Sequence, residues 1–302
     1  MKVVFVQWTA PYFKREQSAG YNKEKLKEVT HFELLDYEQE FQKLSALKAK
    51  KHVGETVLYT DSRGLAYLTK VGLDKFYDKI NTELLDSLGY DSVAGKYWTT
   101  GKSYVVSKID PPFIFCDLDL YINSYVNEEE FKKYDLIHNQ WELERSKFFV
   151  DDKLDSLNLS YSYKNMLYPN TSFLFINSKE LQKEYWKLHK EIIEDKNFDP
   201  SDECLWLLAD QGILGFAARK LKSNIGTLEK DIFISETDFN QLDLEYGSIP
   251  KYISGNKNDH INLSYHHIWL SKKLIRENSK VREEFLKVTK GQINSFNKTG
   301  LL

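Results

Sequence analysis

The chain has 302 residues, of which 41% are hydrophobic and 14% aromatic, so it can bury the core of one large α/β domain or of two small ones. Its formal net charge is −3, which argues against broad electrostatic binding of nucleic acid. The two cysteines, Cys116 and Cys204, lie far apart in the sequence and provide neither a disulfide framework nor a zinc-binding spacing. Because no apolar run is long enough for a signal-peptide core or a bilayer span, we expect a cytoplasmic protein.

The first predicted strand covers residues 3–8, an apolar run that is typical of a buried parallel strand. In open α/β sheets the loops at the carboxyl ends of the strands form the ligand crevice. Trp8, Thr9 and Tyr12 lie in or next to this loop. They are candidate contacts for a nucleotide base or ribose, and an aromatic loop that packs on its neighbours is an equally good interpretation.

A helix predicted over residues 23–47 covers the sheet, and a second strand over residues 55–61 ends at Asp61. The Asp61 carboxylate could bind a ribose hydroxyl. Capping of the helix that begins near Gly64 is the favoured interpretation. A third strand is predicted within residues 76–84.

A helix predicted over residues 97–109 immediately precedes the central strand. It carries Lys102, and a single lysine on a helix is usually solvated, which we expect here. The position of Lys102 just before the central strand also makes it a candidate contact for a diphosphate.

The central feature is an apolar run at residues 113–116 that ends in two acids, Asp117 and Asp119. In an extended backbone, residues two apart point to the same side. We therefore expect Asp117, Asp119 and Tyr121 to face the opening, while the residues between them face the core. Two carboxylates about 7 Å apart along a strand repel each other unless a cation lies between them. A hard divalent ion can do this and can also hold a diphosphate.

The second half of the chain is predicted to alternate strands and helices before a helical tail. The predicted elements are strands at 134–138, 173–176 and 261–265, a loop or short helix at 145–165, and helices at 179–195 and from 201 through Asp210 and Gln211. The tail, residues 269–302, holds eight Lys/Arg against three Glu. A solvated helix face is the favoured interpretation, and a site for an acidic or membrane-borne acceptor is the alternative.

A third metal ligand could come from the late pair His266 and His267, which stand near Lys272 and Lys273. Imidazole together with carboxylates suits Mn²⁺ or a similar ion. A histidine pair by itself is more often a surface feature. Together with the two aspartates it favours a metal site, with His267 ahead of His266.

The order of these motifs resembles the GT-A glycosyltransferase fold, most of all glycosyltransferase family 8 and related uncharacterised bacterial and phage proteins. The resemblance covers roughly residues 2–273, as one domain with residues 274–302 as a basic helical tail packed on it. It implies an α/β fold in which a mixed, mainly parallel sheet is flanked by helices and followed by a helical tail. It also implies a glycosyltransferase that uses a nucleotide-sugar donor, by preference a UDP-sugar, with Mn²⁺ or Mg²⁺.

The same resemblance assigns roles to individual residues. By this resemblance Asp117 and Asp119 bind the metal and the donor diphosphate, and His267 is a further metal ligand. Lys272 contacts the diphosphate, with Lys273 as the alternative. Asn170 lies on the acceptor side, and Asp210 and Gln211 lie near the reacting sugar. Asp210 would act as the general base if the enzyme inverts, and would position the acceptor or steady the cationic centre if it retains. The acceptor could be a saccharide, a lipid-linked glycan, a protein or a modified nucleic acid.

The chain departs from the family 8 pattern at two places, and two functions other than glycosyl transfer fit the sequence. Family 8 usually has a glycine shortly after the histidine, where this chain has residues 269–271, and small residues after the asparagine, where it has Thr171 and Ser172. A nucleotidyltransferase also uses paired carboxylates and a metal, but often with a glycine-rich loop after the first strand, and here the first glycine is Gly20. The other alternative is a non-catalytic protein of the same fold that binds nucleotides or glycans.

Overall fold

A computed structural model describes the protein at residues 1–13, 32–88, 99–144, 167–197, 205, 207–229, 233–235, 259–268 and 272–297. The strands in these residues are Lys2–Gln7 (β1), Glu55–Thr60 (β2), Lys79–Asn81 (β3), Phe113–Cys116 (β4), Leu120–Ile122 (β5), Leu136–His138 (β6), Trp141–Glu144 (β7), Tyr168–Pro169 (β8), Phe173–Ile176 (β9), Ile225–Thr227 (β10), Phe233–Ser235 (β11), Asp259–His260 (β12) and Tyr265–His267 (β13).

The helices in the same residues connect or cover these strands. They are Ala10–Phe13 (α1), Asp36–His52 (α2), Ser62–Val71 (α3), Glu83–Leu88 (α4), Thr100–Lys108 (α5), Glu128–Phe131 (α6), Lys179–Ile193 (α7), Ile213–Lys220 (α8), Lys272–Glu277 (α9) and Ser279–Asn297 (α10), with a 3₁₀-helix at Asp74–Phe76 and a π-helix at Leu208–Gly212.

The main sheet has eight strands in the order β12-β10-β6-β9-β4-β1-β2-β3. Strand β9 is antiparallel to both of its neighbours, and every other neighbouring pair is parallel. The carboxyl ends of β1, β2, β4, β6 and β10 therefore meet at one edge, together with the amino end of β9. This confirms the predicted mixed, mainly parallel sheet.

Both faces of the sheet are buried, which explains why its central strands are continuous apolar runs rather than alternating ones. On one face Val4, Phe113 and Phe115 pack against α5, α7 and α8. On the other, Val3 and Ile114 belong to a cluster that includes residues of α2, α3 and α6. The layered arrangement of helix, sheet and helix is the predicted architecture.

The predicted helical tail is also confirmed, as the two helices α9 and α10. Helix α10 packs on α2: Ile293 and Phe296 are buried in a cluster with residues of α2, and the Phe285 ring stacks on Phe41 at 5.8 Å. Helix α9 begins at Lys272, so this predicted site residue belongs to the first turn of the tail.

Several predicted boundaries are wrong. The helix expected over 23–47 begins at Asp36, with residues 23–31 outside the described part of the chain. The strand expected within 76–84 is only β3, flanked by a 3₁₀-helix and α4. The last strand lies at Tyr265–His267 instead of 261–265, because this segment pairs with β5 and takes its register from that strand. The segments expected at 145–165 and 201–204 fall outside the described residues.

Two fully buried histidines make the stability of the fold depend on pH. Burial lowers the pKa of His189 to about 4 and that of His138 to about 3, against about 6.5 for an exposed histidine. The unfolded chain therefore binds more protons as the pH falls below about 6.5, and the folded state loses stability. We expect acidification from pH 7 to 4.5 to reduce the free energy of unfolding by about 2–3 kcal/mol through His189 alone.

Urea denaturation of wild type and His189→Asn at both pH values tests this expectation. Asparagine does not titrate, so the variant should lose about 2–3 kcal/mol less than the wild type over the same pH interval. Equal losses in the two proteins would show that His189 does not contribute.

Candidate functional site

The paired aspartates lie in a turn at the carboxyl edge of the sheet. Strand β4 ends at Cys116, the Asp117 N–H donates to Ser172 O at 2.7 Å, and the Leu120 N–H donates back to Asp117 O at 3.1 Å. The extended backbone expected here is therefore wrong, since aspartate favours such turns. The turn leads into β5, and the Tyr121 side chain points away from the aspartates to pack beside Phe41 on α2.

Strand β13 brings His267 to the aspartates. It pairs with β5 in antiparallel register, with His267 opposite Leu120, and the Ile268 N–H donates to the Asp119 backbone O at 3.1 Å. The His267 Nε2 atom lies 3.3 Å from Asp119 Oδ2. Neighbouring side chains of a strand point to opposite faces, so the exposed His266 lies instead beside Tyr121, with its ring centroid 5.3 Å away.

Asp117, Asp119 and His267 together could hold a metal ion. One potential ligand atom from each lies within 4.8 Å of the others, and no other such group of three occurs among the residues that the structure describes. Carboxylate oxygens suit Mg²⁺ and Mn²⁺, and an imidazole nitrogen shifts the preference towards transition metals. The donor set therefore fits a divalent ion of the Mn²⁺ type.

Lys272 adds a positive charge to this cluster. Its Nζ lies 2.6 Å from Asp119 Oδ2. Burial by itself would raise the pKa of Asp119, but the hydrogen bond from His267 and the Lys272 ammonium outweigh it and hold that pKa well below its usual range. For Asp117, burial dominates and raises the pKa, in spite of the attraction of Lys102. The alternative lysine, Lys273, is exposed.

Lys102 is buried, which contradicts the solvated position expected for it. Its Nζ lies 3.2 Å from each carboxylate oxygen of Asp210, 2.8 Å from Thr171 Oγ1 and 3.8 Å from Asp117 Oδ1. Desolvation lowers the pKa of Lys102, but Asp117 and Asp210 outweigh this and raise it. The residue is an internal cation that joins Asp210 to the candidate metal-binding cluster.

Asp210 and Gln211 are both buried and lie in the π-helix. Asp210 Oδ2 also accepts a hydrogen bond from Thr171 Oγ1 at 3.0 Å. The adjacent Asn170 is held at the start of β9: its Oδ1 accepts from the Ser172 N–H at 2.9 Å, and its Nδ2 donates to Glu142.

Sequence reasoning missed Glu142 and Thr171 as site residues. Glu142 lies on β7 and is buried. A glutamate among other charged residues is usually exposed, so nothing in the sequence indicates that this one is internal. Thr171 stood out in the sequence only as a departure from the small residues expected after Asn170.

Asp61 is a helix cap, as the favoured interpretation of the sequence had it. It is fully buried, and its oxygens accept from the N–H groups of Thr9, Ala10 and Gly64 and from the Thr9 hydroxyl. The carboxylate thereby caps α3 and pins the loop that follows β1. Asp61 and Thr9 are thus structural residues in this conformation, with their side chains bonded to each other rather than directed to a ligand.

The aromatic residues of the same loop pack on their neighbours. A methyl group added to Gly101 of α5 would lie 2.8 Å from the Trp8 ring, so Trp8 and α5 are in close contact. The Tyr12 ring lies edge-on to Phe32 at 5.2 Å. Trp8 remains half-buried. Among the residues predicted to contact a nucleotide base or ribose, Trp8 and Tyr12 therefore remain candidates.

A family model described as "Family of unknown function (DUF6734)" matches residues 1–171, which is more than half of the 302 residues. The chain belongs to DUF6734. The part of this DUF6734 protein that the model matches contains Lys102, Asp117 and Asp119. Asp210 and His267 lie beyond it. None of the curated protein sequences matches the chain significantly.

Solved structures resemble this DUF6734 protein at a distance. A galactosyltransferase LgtC, solved in complex with donor and acceptor sugar analogs, has 12% identity, a TM-score of 0.46 and full coverage of both chains. Mouse xyloside xylosyltransferase 1 has 10% identity and a TM-score of 0.39, over 88% of this chain and 97% of its own. A nucleoside-diphosphate-sugar pyrophosphorylase from Vibrio cholerae has 12% identity and a TM-score of 0.35, over 78% and 93%.

No helix within the described parts of the chain is both long enough and apolar enough to cross a membrane.

Proposed function

We propose that this protein is a metal-dependent glycosyltransferase that moves a sugar from a nucleotide-sugar donor to an acceptor hydroxyl. The observation that carries the proposal is the convergence of Asp117, Asp119 and His267 within 4.8 Å beside two lysine ammonium groups, Lys102 and Lys272. Two carboxylates and an imidazole can hold a divalent ion, and the two ammonium groups can bind the negatively charged diphosphate beside it. The cluster lies at the carboxyl edge of the sheet, where ligands bind in open α/β folds.

Asp117, Asp119 and His267 would hold the ion, which we propose to be Mn²⁺ or Mg²⁺. When bound, such an ion supplies charge neutralisation for the nucleoside diphosphate that leaves as the glycosidic bond breaks. Lys272, one-third exposed at 34%, is placed to add a fixed positive charge at the same position. The half-buried Trp8 lies on the β1 side of this cluster and is our candidate for the nucleotide base, with a UDP-sugar as the proposed donor.

Asp210 is proposed to position the reacting sugar rather than to act as a general base. Both of its oxygens lie 3.2 Å from the Lys102 ammonium, and Thr171 donates to one of them. A base must take a proton from the acceptor hydroxyl within hydrogen-bond reach, and here the carboxylate is already engaged with an internal cation. It is therefore suited to accept hydrogen bonds from sugar hydroxyls.

Asn170 and Glu142 extend the site away from the metal cluster and are proposed to lie on the acceptor side. They are hydrogen-bonded to each other at the amino end of β9, next to Ser172, whose backbone accepts from Asp117. The acceptor is proposed only as a hydroxyl compound.

We also infer that the enzyme acts in the cytoplasm, in keeping with the free, buried Cys116.

Incubation with a panel of UDP- and GDP-sugars and Mn²⁺ tests the proposal. A glycosyltransferase without its acceptor should release free sugar and the nucleoside diphosphate slowly from one of the donors. In a parallel incubation with a nucleoside triphosphate, a sugar phosphate and Mn²⁺, release of pyrophosphate would instead show a nucleotidyltransferase. Binding without turnover would show a protein that only binds nucleotides.

A further inference from the structure

Two side chains of α7, Tyr185 and His189, connect α5 to the π-helix. They are four residues apart and therefore lie on the same face of α7. Both are buried, with exposures of 1% and 0%. Neither belongs to the metal cluster, and each makes one polar contact with α5 and one with the π-helix.

Tyr185 links Ser103 on α5 to the backbone of Asp210. Its hydroxyl donates to Asp210 O at 3.1 Å and lies 2.8 Å from Ser103 Oγ. A phenol has a single proton. Because that proton goes to the carbonyl, the Ser103 hydroxyl must donate to the Tyr185 oxygen.

His189 makes the equivalent link from Thr100 to Ala209. Its Nδ1 lies 2.8 Å from Ala209 O, and its Nε2 lies 3.1 Å from Thr100 Oγ1. A carbonyl can only accept, so Nδ1 carries the proton. Since burial keeps the ring neutral, Nε2 accepts from the Thr100 hydroxyl. The Trp186 ring stacks on the histidine at 5.5 Å and fixes its plane.

The two links converge on the charged pair Lys102–Asp210. Thr100 and Ser103 flank Lys102 on α5, and the two accepting carbonyls belong to Ala209 and to Asp210 itself. We propose that Tyr185 and His189 are positioning residues that fix the Asp210 carboxylate against Lys102. The expected effect of these residues on catalysis rests on the proposed function. Their effect on the position of Asp210 does not.

A π-helix needs such support more than an α-helix does. The Ile213 N–H donates to Leu208 O, five residues back, and this wider turn is rare and found frequently at functional sites. Buried backbone carbonyls must be paired. Donors supplied from α7 to the two carbonyls of this turn therefore stabilise the widened conformation that places Asp210 at 3.2 Å from Lys102.

The test compares Tyr185→Phe, His189→Leu and His189→Asn with the wild type. We expect kcat for donor turnover to fall about 10- to 100-fold in the first two variants, because small displacements of a positioned group have effects of this size. The affinities for UDP and for Mn²⁺ should change less than twofold, since Asp117, Asp119 and His267 are untouched and UDP lacks the sugar. Asparagine can present Nδ2 where the histidine has Nδ1, so His189→Asn should restore most of kcat.

Tyr77→Phe is the matched control. The Tyr77 hydroxyl is buried and has no hydrogen-bond partner in the described part of the chain, and the residue belongs to the cluster on the opposite face of the sheet. This control should leave kcat unchanged. Variants that are less stable but keep the wild-type kcat per folded molecule, or a His189→Asn that is no better than His189→Leu, would overturn the proposal.

Hydrogen exchange at residues 207–213 gives a second readout that does not depend on activity. Tyr185→Phe and His189→Leu should lower amide protection there relative to Tyr77→Phe. If the wild type turns over no donor, the proposed function fails, and this exchange measurement still decides on the positioning role. Unchanged protection in both variants would overturn it.

Discussion

Replacement of Asp119 by asparagine is expected to reduce metal-dependent donor turnover by about a thousandfold. The substitution keeps the size of the side chain and removes the charge that attracts both Lys272, at 2.6 Å, and His267, at 3.3 Å. It also removes one of the two carboxylates available to a divalent ion. Turnover should be measured with the best donor of the panel over a range of Mn²⁺ concentrations.

Asp110→Asn is the matched control for this substitution. Asp110 is an exposed aspartate that pairs with Lys179 at 3.1 Å, and its replacement should leave turnover unchanged. The comparison requires that Asp119→Asn keeps the wild-type circular dichroism, which the nearly identical shape of asparagine favours. If a correctly folded Asp119→Asn retains metal-dependent turnover, the assignment of the metal site is wrong.

Replacement of Lys102 by methionine is expected to destabilise the protein by about 3–5 kcal/mol, the usual cost of leaving one member of a buried ion pair without its partner. Asp210 is buried at 3% exposure, and water cannot readily replace the ammonium that lies 3.2 Å from it. Urea denaturation at pH 7 measures this loss. Methionine keeps the unbranched stem, so lost packing contributes little.

The double variant Lys102→Met/Asp210→Asn separates charge from packing. With the buried carboxylate neutralised, most of the lost stability should return. Lys290→Met, at an exposed position on α10, should change stability by less than about 0.5 kcal/mol. If the free energy of unfolding of Lys102→Met lies within about 1 kcal/mol of the wild-type value, the Lys102–Asp210 pair is solvated. The solvated position that the sequence predicted for Lys102 would then be correct.

The sequence was informative where a local pattern determines the structure. The apolar run before Asp117 predicted a central buried strand, and β4 is buried on both faces. The rule that parallel strands gather their carboxyl ends at one edge anticipated that residues from distant parts of the chain meet there. His267 was ranked ahead of His266 as a metal ligand, and in the antiparallel register of β13 it is His267 that lies beside Asp119.

Geometry that depends on tertiary packing could not be predicted in this way. The turn at Asp117–Asp119 depends on the pairing of β5 with β13, whose sequences are some 140 residues apart. Lys102, Tyr185 and His189 lie on helices whose amphipathic patterns allow either a buried or a solvated position for a polar side chain. Only the packing of α5 against α7 and the π-helix determines that they are internal.

Binding of Mn²⁺ to the wild type and to His267→Ala, with and without UDP, tests the central claim most directly. Electron paramagnetic resonance can count the free ion at each point of the titration. We predict one Mn²⁺ per chain, bound more tightly when UDP is present and at least tenfold more weakly in His267→Ala. The same affinity in both proteins, or no effect of UDP, would contradict a metal and nucleotide-sugar site at Asp117, Asp119 and His267.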